Sequence, residues 1–295
     1  MPDFAFVATL IANPKAANLT PGLLSRAAAA INGAPKLKIL HENIAADVFV
    51  STRAEGENIR SALHGAAVDV IVQPVAHRRK KLFLADMDST MIGQECIDEL
   101  ADLVGVKARV AAITEKAMRG EIAFEPALRE RVALLKGLPA NVVERVIKDR
   151  ITLTPGGRAL VQTMRKFGAY TALVSGGFTV FTGKIGPLIG FDEHLSNLLE
   201  LYGDTFAGTV AEPILGQAAK LATLIELRTK LGLQPQETMA VGDGANDLAM
   251  LGEAGLGVAF YAKPKVAEAA HARIDHSDLT ALLYAQGSEA GEIVG

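Results

Sequence analysis

Four apolar residues, Leu82, Phe83, Leu84 and Ala85, run straight into Asp86, Met87, Asp88, Ser89 and Thr90, and this junction limits the folds open to the chain. An unbroken apolar run of this length reads as a strand buried on both faces, the kind found in parallel sheets covered by helices. Open sheets of that type hold their ligands beyond the carboxyl ends of the strands, where Asp86 and Asp88 stand. On an extended backbone the two aspartates share side-chain parity, so their carboxylates face one way and repel. An oxygen-preferring ion such as Mg²⁺ would relieve that repulsion. A lone Asp-x-Asp also suits a solvated turn, so the remainder of the chain has to decide.

Two further apolar runs end in residues of matching chemistry. The run 170–174 leads into Ser175, Gly176 and Gly177, and the run 238–241 leads into Gly242, Asp243 and Gly244, then Asn246 and Asp247. In a parallel sheet such ends are neighbours. The Ser175 hydroxyl and Gly176 amide can donate to phosphate oxygens, and the paired glycines let the backbone approach before a helix N-terminus that favours an anion. Lys220, early in a helix expected over 217–231, is the candidate cation to balance the carboxylates.

The run of elements divides the chain. Residues 1–79 alternate as strands over 4–11, 36–40, 46–52 and 68–75 with helices over 20–31 and 58–64, a βαββαβ order that predicts a ferredoxin-like α+β unit. The basic residues His77, Arg78, Arg79, Lys80 and Lys81 read as a solvated linker. Residues 93–150 carry only helical periodicity, broken at Gly105, Gly120 and Gly137, which predicts a helical cap inserted after the Asp strand. From residue 151 the β-α alternation resumes, with a small hairpin or flap near 195–209 and a loose polar tail from Gly287. The division expected is therefore 1–79, then a doubly wound core of 80–92 with 151–295, interrupted by the cap at 93–150.

Composition removes several classes of function. A formal charge of −3 and a pI near 6.1 leave no footprint for nucleic acid. No run of apolar residues is long enough to span a membrane. The single cysteine, Cys96, allows no intrachain disulfide and fits a reducing, cytoplasmic setting, where it reads as core packing. The six histidines show no zinc-ligand spacing.

The segments Asp86 to Thr90, Glu95, Ile113 to Met118, Phe124 to Val132, Val174 to Phe178 and Gly242 to Asp247 resemble, in order and spacing, the phosphoserine phosphatase family of the haloacid dehalogenase superfamily. The resemblance spans roughly Lys81 to Leu283, and it implies a Rossmann-like sheet with the cap described above. It further implies Asp86 as the nucleophile that becomes an aspartyl-phosphate, and Asp88 as the general acid and base. Mg²⁺ would be held by the carboxylates of Asp86 and Asp243 and the main-chain carbonyl of Asp88. Ser175, Gly176 and Lys220 would clamp phosphate, with Asn246 and Asp247 orienting the clamp. Glu95 and Arg131 would read the ammonium and carboxylate of the substrate O-phospho-L-serine, beside an apolar wall of Met118 and Phe124. Without the resemblance, Glu95 is equally a helix-start charge and Arg131 one member of a solvated Arg-Glu-Arg run.

The expected reaction is hydrolysis of that ester to L-serine and phosphate, closing serine biosynthesis. The alternatives are a phosphatase or phosphotransferase for another small ester, or an amino-acid-sensing module. The N-terminal unit resembles an ACT domain in topology and position, which implies a homodimer contact or a purely structural role. Its turn after the first strand, Ala12 to Ala17, lacks the glycine that amino-acid-binding ACT domains often carry there.

Overall fold

The computed structural model describes residues 4–31 and 36–294; residues 1–3, 32–35 and 295, which the expected units take in, lie outside the described residues. The chain begins with β1 (Phe6–Ala12), α1 (Pro21–Ala29), β2 (Lys36–His41), β3 (Ala45–Val50), α2 (Arg53–Ala62) and β4 (Val68–Pro74). These four strands lie in the order β2-β3-β1-β4, antiparallel at every pairing, which is the ferredoxin-like arrangement. Thr20 accepts a hydrogen bond from the Leu23 amide to start α1. Thr52 and Glu55 form a reciprocal capping box, so α2 begins at Arg53, ahead of the expected residue 58. Strand alternation then splits the sheet. Leu10, Val48 and Val72 pack beneath the two helices, while Ile11, Ala45 and Ile71 join the core of the larger part of the chain.

That larger part opens with β5 (Leu82–Ala85). The helices α3 (Cys96–Asp102), α4 (Lys107–Met118), α5 (Phe124–Ala133) and α6 (Val142–Arg150) follow. The α/β alternation resumes with α7 (Gly157–Lys166), β6 (Tyr170–Phe178), α8 (Thr179–Ile189), β7 (Glu193–Asn197), β8 (Leu199–Tyr202) and β9 (Thr205–Val210). The remaining elements are α9 (Gln217–Lys230), β10 (Thr238–Gly242), α10 (Leu248–Glu253), β11 (Leu256–Phe260), α11 (Pro264–Ala269), β12 (Ala272–Ile274) and α12 (Ala281–Ala285). Six strands form one sheet in the order β12-β11-β10-β5-β6-β7, parallel throughout. Separate apolar clusters cover its two faces, one around Phe83 and Val241 and the other around Leu84 and Ala240. Because β5 lies between β10 and β6, the three polar strand ends read from the sequence meet.

The excursion 93–150 is hinged on two crossing segments. Ile92 and Leu153 form an antiparallel bridge, the Gly93 amide donates to the Thr152 carbonyl, and the Thr154 amide donates to that of Met91. The hairpin β8–β9 pairs with the end of the excursion: the Gly137 amide donates to the Phe206 carbonyl, the Phe206 amide to the Leu138 carbonyl, and the Ala140 amide to the Asp204 carbonyl.

The structure corrects several expectations. The segment 193–197 extends the main sheet as β7; only β8 and β9 form the flap. The strand β12 and helix α12 were not expected at all. The basic cluster is solvated only in part: His77, Arg79 and Lys81 are exposed, while Arg78 is half-buried and Lys80 buried. Arg78 donates from Nη1 and Nη2 to both oxygens of Asp47, at 2.7 and 2.8 Å, and from Nε to the Ala285 carbonyl at 3.0 Å. Lys80 is buried, donates to the Gln236 carbonyl, and has its pKa lowered to about 8 by that burial. The tail is packed: Ser288 is buried, and the Val294 amide donates to Thr163.

Candidate active site

The strand β5 ends at Ala85, and the chain turns through Met87–Met91 with Ser89 in the left-handed region at φ 56°. This turn breaks the extended path on which parity was argued, yet Asp86 and Asp88 both line one cavity. The Asp86 amide donates to the Val241 carbonyl, tying the nucleophile candidate to β10. The Thr90 hydroxyl donates to Asp243 at 3.1 Å, fixing that carboxylate beside it.

Opposite stands β6, whose end supplies Ser175, Gly176 and Gly177 to the same cavity. The Ser175 oxygen accepts from the Gly177 amide at 2.9 Å, so its proton remains available for an anion. Close approach favours glycine here: a Cβ at Gly176 would lie 2.7 Å from the Phe124 ring, so that ring would have to move, and one at Gly177 would crowd Asp88 at 3.1 Å. Asn197 holds this turn, donating to the Gly176 carbonyl and exchanging bonds with Leu215.

Behind the cavity, Lys220 is wholly buried at the start of α9 and bridges Asp86 and Asp247, each at 2.7 Å. Burial opposes a charged lysine, but the two carboxylates outweigh it and hold the ammonium protonated. Asp247 is fully engaged, its second oxygen accepting from the amides of Asp243 and Gly244.

Acids outnumber cations in this space. Burial, then the charge of Asp247, raises Asp86 to about 7 despite Lys220. Asp88 is pushed well above its ordinary value by burial, then by Glu95 and Asp86. Asp243 is raised the same way by burial and by Asp86. One buried oxygen of Asp88 and the side-chain oxygen of Asn246 have no hydrogen-bond partner among the described residues. The carboxylates of Asp86, Asp243 and Asp247 offer oxygens within 4.8 Å of one another, and with Asp247 already occupied, Asp86 and Asp243 are left to face a cation. Hard oxygen donors under mutual repulsion fit a hard divalent cation.

The helical excursion closes the cavity from above with Glu95, Met118, Phe124 and Arg131. Arg131 is 3% exposed, so the Arg-Glu-Arg run is not a solvated face. Glu95 accepts from the Ser89 hydroxyl at 2.7 Å. Burial raises its pKa, against the pull of that bond and of Arg131. Cys96 is buried beside Asp88, in keeping with a packing role. Ion pairs from Glu115 on α4 to Lys263 at 2.8 Å and from Arg129 to Glu212 join the helical excursion to loops of the α/β part.

All the residues singled out in the sequence therefore meet here, ten lining the cavity and Lys220 and Asp247 directly behind it. Sequence reasoning missed Ile97, Leu128 and Phe178 in the lining, which as apolar residues carry no chemical signal, and Asn197, whose contacts lie in distant segments. Among the described residues no helix is long and apolar enough to cross a membrane.

The model of the haloacid dehalogenase-like hydrolase family matches residues 83–252. A phosphoserine phosphatase from Polaromonas sp. is 45% identical over 224 residues, covering 74% of this chain and 95% of that one. A solved structure of a phosphoserine phosphatase with an analogue of its phospho-aspartyl intermediate is 41% identical with a TM-score of 0.67, over 70% of this chain and 98% of the other. The structure of a probable phosphoserine phosphatase from Vibrio cholerae covers 99% of this chain and 88% of its own at 28% identity, with a TM-score of 0.78, and so includes the N-terminal sheet. With its three strand ends converging on buried carboxylates beneath a helical cover, the chain belongs to the haloacid dehalogenase-like hydrolase family.

Proposed function

We propose that the protein hydrolyses O-phospho-L-serine to L-serine and phosphate through an aspartyl-phosphate, the closing step of serine biosynthesis, and does so in the cytoplasm. The observation that carries this reading is the pairing of one acid and one base, Glu95 and Arg131, on the cavity wall facing Asp86 and Asp88. A phosphorylated amino acid presents an ammonium, a carboxylate and a phosphate, and this cavity offers a complement to each.

The reaction then follows from these side chains. An Asp86 carboxylate oxygen attacks phosphorus, and the bond from phosphorus to the serine oxygen breaks. That leaving oxygen takes the proton of Asp88, whose burial and neighbours Glu95 and Asp86 favour its protonated form. In the second step Asp88 removes a proton from water, the water oxygen attacks phosphorus, and Asp86 is released. Splitting one displacement in two lowers each barrier. Ser175, the Gly176 amide and Lys220 hold the phosphoryl oxygens; Asn246 and Asp247 orient that clamp. Glu95 takes the ammonium, Arg131 the carboxylate, and Met118 and Phe124 exclude water.

The carboxylates of Asp86 and Asp243 and the main-chain carbonyl of Asp88 would hold Mg²⁺, which supplies positive charge against the phosphoryl oxygens. We assign residues 80–92 with 151–295 to the catalytic core, 93–150 to the cap, and 1–79 to an ACT-like unit through which two copies pair. The last assignment draws support from β2, an edge strand with Leu37 and Ile39 41% and 46% exposed. Phosphate release from a panel of small esters, with Mg²⁺ and with chelator, tests the reading. Preference for phosphoserine over phosphoethanolamine and an aryl phosphate is expected. Equal turnover of all three would instead favour a general small-ester phosphatase.

A further inference from the structure

The guanidinium of Arg131 is held on two of its edges. Its Nε donates to the Ala127 carbonyl one turn back on α5, and Nη1 donates to the Thr114 hydroxyl on α4, each at 3.0 Å. Thr114 is buried, and its oxygen lies 3.1 Å from Asp98 Oδ1 on α3 and 3.1 Å from the Val110 carbonyl. A hydroxyl has one proton: in accepting from Arg131, Thr114 has that proton left for Asp98 or Val110. Among the described residues the Nη2 edge has no hydrogen-bond partner, and Arg131 lines the cavity. Asp98 does not line it.

Resting on the function proposed above, we infer that Thr114 and Asp98 are positioning residues that aim the free edge of Arg131 at the carboxylate of the substrate. The relay runs across three helices of the cover, so carboxylate recognition belongs to their packing as a unit. Thr114 acts as a spacer. Remove its hydroxyl and Nη1 is left buried without an acceptor while the Asp98 carboxylate stands close by. The guanidinium then turns toward Asp98 and away from the ligand, because an arginine fork pairs best with a carboxylate directly. The surroundings of Asp98 agree with a strained anion that a spacer keeps apart from Arg131: burial and then the charge of Glu95 push its pKa up to about 6.

The purely structural alternative is that Thr114 only ties α4 to α3. Steady-state kinetics of the full chain with Mg²⁺ separate the two. The substrates are phosphoserine, phosphoethanolamine, which lacks the carboxylate, and an aryl phosphate, which lacks both charged groups. For Thr114→Val, KM for phosphoserine rises roughly tenfold or more, as expected for a misaligned charged hydrogen bond. KM for the other two stays within about twofold and kcat is kept on all three. Thr114→Ser restores the wild-type values, and Asp98→Asn shows the same split in smaller measure. Melting curves exclude misfolding, and Asp98→Asn stands as the test should Thr114→Val not fold. Equal changes on the three substrates, or none, overturn the inference while leaving the phosphatase reading intact. Wild-type enzyme that cleaves the aryl phosphate and not phosphoserine overturns both.

Discussion

Lys220 and Asp86 meet at 2.7 Å with side chains 0% and 6% exposed, and the same ammonium touches Asp247. A cation so placed does two things at once: it favours the ionised form of the attacking carboxylate against burial and Asp247, and it cancels charge that the fold has already buried. Lys220→Met should therefore lose phosphate release and, by stranding two carboxylates, cost about 3–5 kcal/mol of stability. Urea unfolding alongside turnover, both with saturating Mg²⁺, reports each effect. Survival of a tenth of wild-type kcat would contradict this account of Lys220.

Asp86→Asn removes the nucleophile but keeps the shape and lightens a crowded set of charges. Turnover should vanish while the fold holds. Intact-mass spectrometry of rapidly quenched enzyme should show one added phosphoryl group on the wild type and none on the variant. Asp88→Asn should still accept the group from a good aryl leaving group, with kcat on phosphoserine down by roughly 10²- to 10⁴-fold.

Acidity gives a third expectation. In the metal-free protein Asp86 is raised from 3.8 to about 7, and Asp88 and Asp243 are raised as well. An acid raised on folding binds more protons when folded, so its contribution is complete below the unfolded value and is lost as pH climbs through the folded one. Stability with chelator should accordingly fall between about pH 4 and pH 7. Mg²⁺ at a hundredfold over its Kd should recover it, raising the melting temperature by roughly 5–10 °C near pH 7.5 and little at pH 5. A metal-induced shift that is equal at both pH values would remove Asp86 and Asp243 from the cation site.

Arg131→Ala should raise KM for phosphoserine far more than for an aryl phosphate, since only the first has a carboxylate to lose. Glu95→Gln should weaken phosphoserine and phosphoethanolamine alike, because both carry the ammonium. Matching losses on all substrates would mean that these two side chains support the cover and do not read the ligand.

Arg78→Met leaves Asp47, a side chain with no exposure, without its cation. A loss of about 3–5 kcal/mol is expected in chemical unfolding, with KM and kcat unchanged under native conditions. A variant as stable as the wild type would mean that water replaces Arg78.

Much of the catalytic geometry was legible because strands buried on both faces are written as unbroken apolar runs. Leu82 to Ala85, Tyr170 to Val174 and Thr238 to Val241 all end where chemistry begins, and parallel pairing makes those ends adjacent. What escaped was either too short or too distant in sequence. Ala272 to Ile274 offers one apolar residue on each side of an exposed arginine, and Ala281 to Ala285 is buried all round, so neither shows a period. Arg78 reads as solvated until Asp47, far off on β3, is known to face it. Asp98 and Thr114 sit on helices apart from that of Arg131, so nothing in the sequence joins the three.

The joint between the N-terminal sheet and the rest of the chain has a consequence for how such proteins diversify. Asp69 accepts from the amides of Asp275, His276 and Ser277, while Gln73 and Arg78 donate to the carbonyl of Ala285. What these side chains grip is main chain, which every sequence supplies. The half-buried Asp275 and the exposed His276 can therefore change without loosening these bonds, whereas Ser277, buried with its hydroxyl donating to the Ala12 carbonyl, and the fully buried Ala285 are held to their size.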